Sequence, residues 1–327
     1  MGRHVAGDIP ALDRLVDDAC AEIGREIDAL CVPRLAGVVL GGGYGRGEGG
    51  ARGDGLSNDL DFFAITEADV PEAETLAAIG AALKPISEKW TVKLGVDVDF
   101  TVRTPWRIRH DLERLMIQEL LRGYFDVAGK KGEELFAGME RADAAKLPWM
   151  EAARLLMNRG MGLLLAKSRI DGSSTVESRM SGEHCDFVVR NINKCILGAG
   201  DARLIARHAY AWRAEERAKA LGDSLYGAAV EWKFRPKEAP VCDWEKAREV
   251  WLDALAEVSG NSGSSGDSIS SRSLRNAVRW LVRRRSVGDL RTFALNPVVR
   301  VLESVARCVR ERRTPGDALM RDWQIFN

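Results

Sequence analysis

Four aspartates and a run of glycines are the residues of this chain whose types and spacing could do chemistry. Asp59 and Asp61, in Asn58-Asp59-Leu60-Asp61-Phe62-Phe63, stand two apart, and Asp97 and Asp99 repeat the spacing in Val96-Asp97-Val98-Asp99-Phe100-Thr101-Val102. Side chains alternate along an extended strand, so each pair leaves on one face while Leu60 and Phe62 point into a core. Paired carboxylates repel unless a cation lies between them, and Mg²⁺ takes oxygen ligands of this kind while keeping water and substrate phosphates in its shell. Ahead of the first pair, the apolar run Val38-Val39-Leu40 breaks into Gly41-Gly42-Gly43-Tyr44-Gly45-Arg46-Gly47-Glu48-Gly49-Gly50. Without a Cβ, such residues let main-chain N–H groups close around an anion, and a helix starting near Tyr44 would add its positive end. The chemistry expected is that of phosphate and a divalent metal.

These residues resemble the nucleotidyltransferase superfamily that includes DNA polymerase beta, CCA-adding enzymes and aminoglycoside adenylyltransferases. Its pattern is a hydrophobic strand, a Gly-Gly or Gly-Ser step, a small loop, an Asp-x-Asp pair and a later strand carrying a third carboxylate. Gly42 and Gly43 match the step, Gly45-Arg46-Gly47-Glu48 the loop, and Asp59 and Asp61 the pair. Either Asp97 or Asp99 matches the third acid, and both stay open. The interval from Gly43 to Asp59 is longer than the family's, with Ala51-Arg52-Gly53-Asp54-Gly55 reading as an insertion.

The resemblance implies transfer of a nucleoside monophosphate, AMP from ATP first, to a hydroxyl acceptor, with two Mg²⁺ ions and release of pyrophosphate. It implies metal ligation by Asp59, Asp61 and Asp99, with Asp97 as the rival third acid. The nucleotide would meet Gly42, Gly43, Tyr44, Gly45, Arg46 and Glu48; Arg46 would neutralise the leaving group and Glu48 would orient Arg46 or the loop. The acceptor expected is a small hydroxylated molecule. The competing readings are a toxin-type transferase acting on tRNA or protein, and an inactive nucleotide-binding or antitoxin-like module.

Other phosphate motifs fit less well. Gly45-x-Gly47-x-x-Gly50 satisfies the dinucleotide fingerprint in form, but only residues 51–58 separate it from the next strand, too few for a crossover helix. A P-loop would end in Gly-Lys-Ser or Gly-Lys-Thr, and the run does not. The plain alternative is a glycine-rich surface hairpin with two exposed aspartates.

The elements that must position these groups follow from periodicity. Leu12, Leu15, Val16, Ala19, Ile23, Ile27 and Leu30 recur at helical spacing between Ile9 and Leu35, Ala36 to Leu40 reads as a strand, and Asp61 to Thr66 as its neighbour. Pro71 to Lys84 reads as a helix ended by Pro85, crossing to a strand from Val96 to Val102. Pro105 starts another helix through Ile108, Leu112, Leu115 and Met116, and Tyr124 to Ala128 a last short strand. The fold expected is α+β, a small mixed sheet with helices on one side, occupying residues 1–145.

Residues 146–327 read as a mostly helical domain holding the acceptor, by the same resemblance. Trp149 to Ile170 is one helix; Cys185 to Trp212 is a second, interrupted at Gly198-Ala199-Gly200. A Ser/Gly-rich linker falls near residues 259–271. Between Arg272 and Arg313 stand twelve arginines, with Arg275, Arg279 and Arg283 on one helix face. They read either as an anion-binding face for RNA or triphosphate or as a solvated face balanced elsewhere. His184, beside Glu183 and Asp186, is a base or ligand only at long odds against a structural role, and Trp212, Trp232, Trp244 and Trp251 read as core.

Composition narrows the partners. With 327 residues and 46% hydrophobic content the chain can bury a large core, and 48 basic against 48 acidic residues give no overall pull toward nucleic acid or membrane. Met1-Gly2-Arg3-His4-Val5 has neither a secretory nor a lipidation pattern, and no 18-residue apolar stretch occurs. Cys20, Cys31, Cys185, Cys195, Cys242 and Cys308 show no zinc spacing. Reduced thiols in a cytoplasm are the expectation.

Overall fold

A computed structural model describes residues 2–67, 73–172, 182–260 and 297–326. The Ser/Gly-rich stretch after Gly260, Pro71, and Arg275, Arg279 and Arg283 lie outside the described residues, as does the His184 side chain. The chain divides into two compact units, Met1–Asp143 with Lys233–Lys237, and Ala144–Trp232 with Glu238–Asn327.

The first unit is a mixed sheet clothed on both faces. Helix α1 (Pro10–Leu30) leads into β1 (Leu35–Leu40), a single turn α2 (Gly42–Gly45), the hairpin strands β2 (Ala51–Arg52) and β3 (Gly55–Leu56), and β4 (Leu60–Thr66). Then come α3 (Ala73–Leu94), β5 (Val98–Arg103), α4 (Pro105–His110), α5 (Leu115–Arg122), β6 (Phe125–Gly129) and α6 (Gly132–Leu135). The four longer strands lie in the order β5-β4-β1-β6, with β1 antiparallel to both neighbours and β4 parallel to β5. Leu12, Val16, Ile23 and Ile27 of α1 and Ile79, Leu83 and Trp90 of α3 pack on Val38, Leu40, Leu60, Phe62 and Val98. Across the sheet, Ile108, Ile117, Leu120 and Leu135 pack on Val39, Phe63 and Ile65. Helices on one side, the sequence-based expectation, is therefore corrected: Val39, Phe63 and Ile65 make the opposite face equally apolar, and it too must be buried.

Two expected breaks are absent. Pro85 lies inside α3, although an interior proline costs about 3 kcal/mol. Ile86 and Trp90, past the proline, are buried on the helix's inner stripe, and each such side chain returns about 1.5–3 kcal/mol. The helix expected from Pro105 instead breaks once, at Asp111, whose N–H caps α4 by donating to Arg107 and Ile108 carbonyls.

The second unit is helical: α7 (Trp149–Gly172), α8 (Gly182–Ala206), α9 (Ala214–Leu221), α10 (Ser224–Phe234, its last two residues counted with the first unit), α11 (Trp244–Gly260), α12 (Pro297–Glu311) and α13 (Asp317–Phe326). Helix α7 is central, touching α8, α11, α12 and α13. Trp251, fully buried, donates its indole N–H to the Leu156 carbonyl at 2.9 Å, and Trp244 does the same to Leu163. Gly198-Ala199-Gly200 does not interrupt α8. A Cβ on Gly198 would lie 2.3 Å from the Arg159 side chain and one on Gly200 2.1 Å from the Tyr226 ring, so these glycines are notches for close packing. Among the described residues no helix is long and apolar enough to cross a membrane.

Candidate functional site

The acids and the glycine turn meet at one end of the sheet. Strand β1 ends where the parallel strands β4 and β5 begin, because β1 runs antiparallel to β4 with Leu40 opposite Phe62. The turn after Leu40 therefore falls beside Asp61, whose carbonyl accepts the Gly41 N–H at 2.8 Å. Gly42 adopts φ +59, and a Cβ there would sit 2.2 Å from Asp61 Oδ2. A Cβ on Gly41 would strike the Phe63 ring at 2.7 Å. Only glycines let the chain cross the strand this closely.

Asp61 lies directly opposite Asp99 across the parallel pair. Asp59 and Asp97 stand two residues earlier, and the Asp97 carbonyl accepts the Leu60 N–H at 2.8 Å, which fixes that register. Asp61, Asp97 and Asp99 are exposed and Asp59 half-buried. Burial, then the charges of Asp97 and Asp59, push the Asp99 carboxyl above the ordinary carboxylate range. The sequence left Asp97 and Asp99 open; the strand register places Asp99, not Asp97, opposite Asp61.

The raised Asp99 has a sign. A carboxyl whose folded value exceeds its unfolded one weakens the fold as pH rises through the interval between the two, and the weakening is constant above it. Asp99→Asn is expected to stabilise the metal-free chain at neutral pH, by less than about 1 kcal/mol for so exposed a group, with no gain at strongly acidic pH. Thermal melts across pH in chelator check this.

Among the described residues no three carboxylates, imidazoles or thiolates are gathered closely enough to hold an ion unaided. Magnesium is ordinarily held by one or two carboxylates with phosphate oxygens and waters, so acids in register beside the turn suit an ion that arrives with a triphosphate. The strained Asp99 carboxyl fits that role, since a cation would relieve its repulsion from Asp97 and Asp59.

The glycine loop is held from within. The N–H groups of Gly42, Gly43 and Tyr44 open the one-turn α2 and so have no acceptor inside it. The Tyr44 ring is buried, its hydroxyl donating to the Gly50 carbonyl at 2.7 Å and accepting from Ser57 N at 3.2 Å and Asn58 N at 3.4 Å. Its side chain thus braces the loop from inside, while Gly42 and Gly43 are half-buried. Residues 51–55, which lengthen the interval before Asp59, form the β2–β3 hairpin. Glu48 is buried between Arg46 at 3.8 Å and Lys233 at 3.0 Å, and Arg46 also reaches Glu119 at 3.4 Å. Arg46 is thus shared between two carboxylates, and Glu48 between two cations.

Sequence reasoning missed the residues that come from far away. Lys233 stands 185 positions from Glu48, and no local pattern marks it. The strap of residues 3–6 also went unread: Ala6 N–H donates to Gly49 O at 2.8 Å and Gly49 N–H to His4 O at 3.0 Å. Searches of family models, curated proteins and solved structures return no match to this chain.

Proposed function

We propose that this protein is a nucleotidyltransferase that moves a nucleoside monophosphate, AMP from ATP first, to a hydroxyl acceptor with release of pyrophosphate. The observation that carries the reading is the meeting of Asp61, Asp99 and Gly42 at one sheet end: two carboxylates in register, with a turn that only glycine permits against one of them. In this reading the N–H groups at the start of α2 hold the departing phosphates, and the Arg46–Glu48–Lys233 cluster keeps the loop in shape for them. Asp59, Asp61 and Asp99 would hold Mg²⁺, which when bound neutralises the triphosphate and makes the acceptor hydroxyl easier to deprotonate. Asp61 and Asp99, on neighbouring strands, fix where the reacting phosphate sits and align the acceptor behind it.

A small hydroxylated molecule is the acceptor proposed, with RNA or protein as the competing classes. Incubation with each labelled triphosphate, Mg²⁺ and a panel of hydroxyl acceptors should release pyrophosphate and label one acceptor. Label on RNA would displace the small-molecule acceptor. Triphosphate binding with no pyrophosphate from any acceptor would point to a nucleotide-binding module, and no binding would remove the reading altogether.

A further inference from the structure

Asp99, Thr101 and Arg103 alternate along β5, so they leave the strand on one face, that of Phe63 and Ile65 on β4, which lies under α4 and α5. Strand β5 is at the edge of the sheet; Asp99 is exposed there, and Thr101 and Arg103 are half-buried. A strand rises about 3.3 Å per residue, so the Arg103 main chain stands about 13 Å from that of Asp99. The row therefore runs from a carboxylate of the candidate site, through a hydroxyl, to a cation.

That cation has more donors than partners. Among the described residues the Arg103 guanidinium makes one hydrogen bond, from Nη1 to the Val102 carbonyl at 3.2 Å, which keeps it close to its own strand, and it has no ion pair. Asp111, the acid whose charge it feels, is 7% exposed and already bound by Arg107 at 3.0 Å. Burial, before any charge, holds the guanidinium below its ordinary range, with Asp111 opposing the shift and Arg107 adding to it. A partly desolvated guanidinium with unused N–H groups on a planar fork is a receptor for an oxyanion, whose two oxygens can take a parallel pair of them.

We propose that Thr101 and Arg103 bind an oxyanion, a phosphate or a carboxylate, carried by the acceptor, so that the molecule modified is a small hydroxylated anion rather than a neutral or cationic one. The acceptor rests on the proposed function; the anion site itself does not. The acceptor lies along β5, its reacting hydroxyl at Asp61 and Asp99 and its anionic group on the guanidinium, with the Thr101 hydroxyl donating between them. A triphosphate gripped at the α2 turn is anchored at the Asp61 end of the row, which leaves Arg103 to the acceptor. No bond is made or broken at Arg103; it selects the acceptor and orients it.

NMR of the arginine Nε–H groups in the metal-free chain, beside acceptor kinetics, tests this. The Arg103 resonance, identified as the one missing from Arg103→Lys, should shift saturably as inorganic phosphate or acetate is added, and the anion effective at the lower concentration tells phosphate from carboxylate. The acceptor that becomes labelled should carry that group. Arg103→Met should raise KM for it about tenfold or more, the loss of a charge-assisted hydrogen bond, while its kcat and the KM for triphosphate stay within about twofold. Arg103→Lys, which keeps the charge and loses the fork, should fall between. A resonance indifferent to both anions, a labelled acceptor that is neutral or cationic, label on RNA alone, or an Arg103→Met loss confined to kcat or to the KM for triphosphate would overturn the proposal. Should Arg103→Met fail to fold, the native resonance and the charge of the labelled acceptor still decide. No labelled acceptor of any class would overturn the proposed function, while the phosphate and acetate titrations still judge the anion site.

Discussion

Asp61→Asn is expected to remove turnover by at least about a thousandfold, or roughly 4 kcal/mol of transition-state stabilisation, while leaving the fold intact. The exchange keeps the size of the side chain and removes the charge, and the position is exposed at the start of β4, so no core contact is lost. Asp59→Asn should act alike, and Asp99→Asn likewise from the opposing strand. Asp97→Asn should lose less than about tenfold, because the register puts Asp99 rather than Asp97 across from Asp61. Pyrophosphate release beside thermal melts separates chemistry from folding. An Asp61→Asn protein that turns over at near-native rate would end the assignment of a metal to that carboxylate.

Gly42→Ala should damage stability and activity together. The left-handed φ of +59 costs an alanine about 1–2 kcal/mol, and its Cβ would lie 2.2 Å from Asp61 Oδ2, so the carboxylate must swing away as well. Displacing a reacting group by about 1 Å can cost about a hundredfold in rate. Gly53 supplies the control, for it has the same φ of +59 with nothing within 4 Å of its missing Cβ. Gly53→Ala should therefore lose only that backbone contribution of about 1–2 kcal/mol and keep its turnover. Denaturant unfolding and initial rates on both variants decide it. Equal rate losses in the two would mean that the approach to Asp61 is irrelevant to the chemistry.

What was legible in the sequence was what alternation and helical spacing encode locally. The strands around Val38-Val39-Leu40, Phe62-Phe63 and Val98 fall where the apolar runs place them, and the glycine run does become a turn between two of them. Pro85 and Gly198-Ala199-Gly200 misled for one reason: each was read by backbone preference alone, while Ile86 and Trp90 beyond the proline, and Arg159 and Tyr226 against the glycines, settle the matter through packing. The face of the sheet under α4 and α5 was missed although a helix was read from Pro105, because helical spacing shows that a helix has an apolar side but not which face of the sheet that side covers. In the candidate site the four aspartates could be named, but not which faced which, since register across parallel strands is fixed by the whole sheet. His4 and Lys233 gave no local sign at all.

The assignment of residues 233–237 to the first unit means that this unit is not one uninterrupted stretch of chain. A ribosome building the protein from its amino end would have most of the sheet out long before the lysine that neutralises Glu48 emerges, so that carboxylate must wait, solvated, for a partner about 90 residues past Asp143. A gene fragment stopping at Asp143 would accordingly yield a sheet whose glycine loop lacks one of its two cations, and boundaries for expression belong after Lys237.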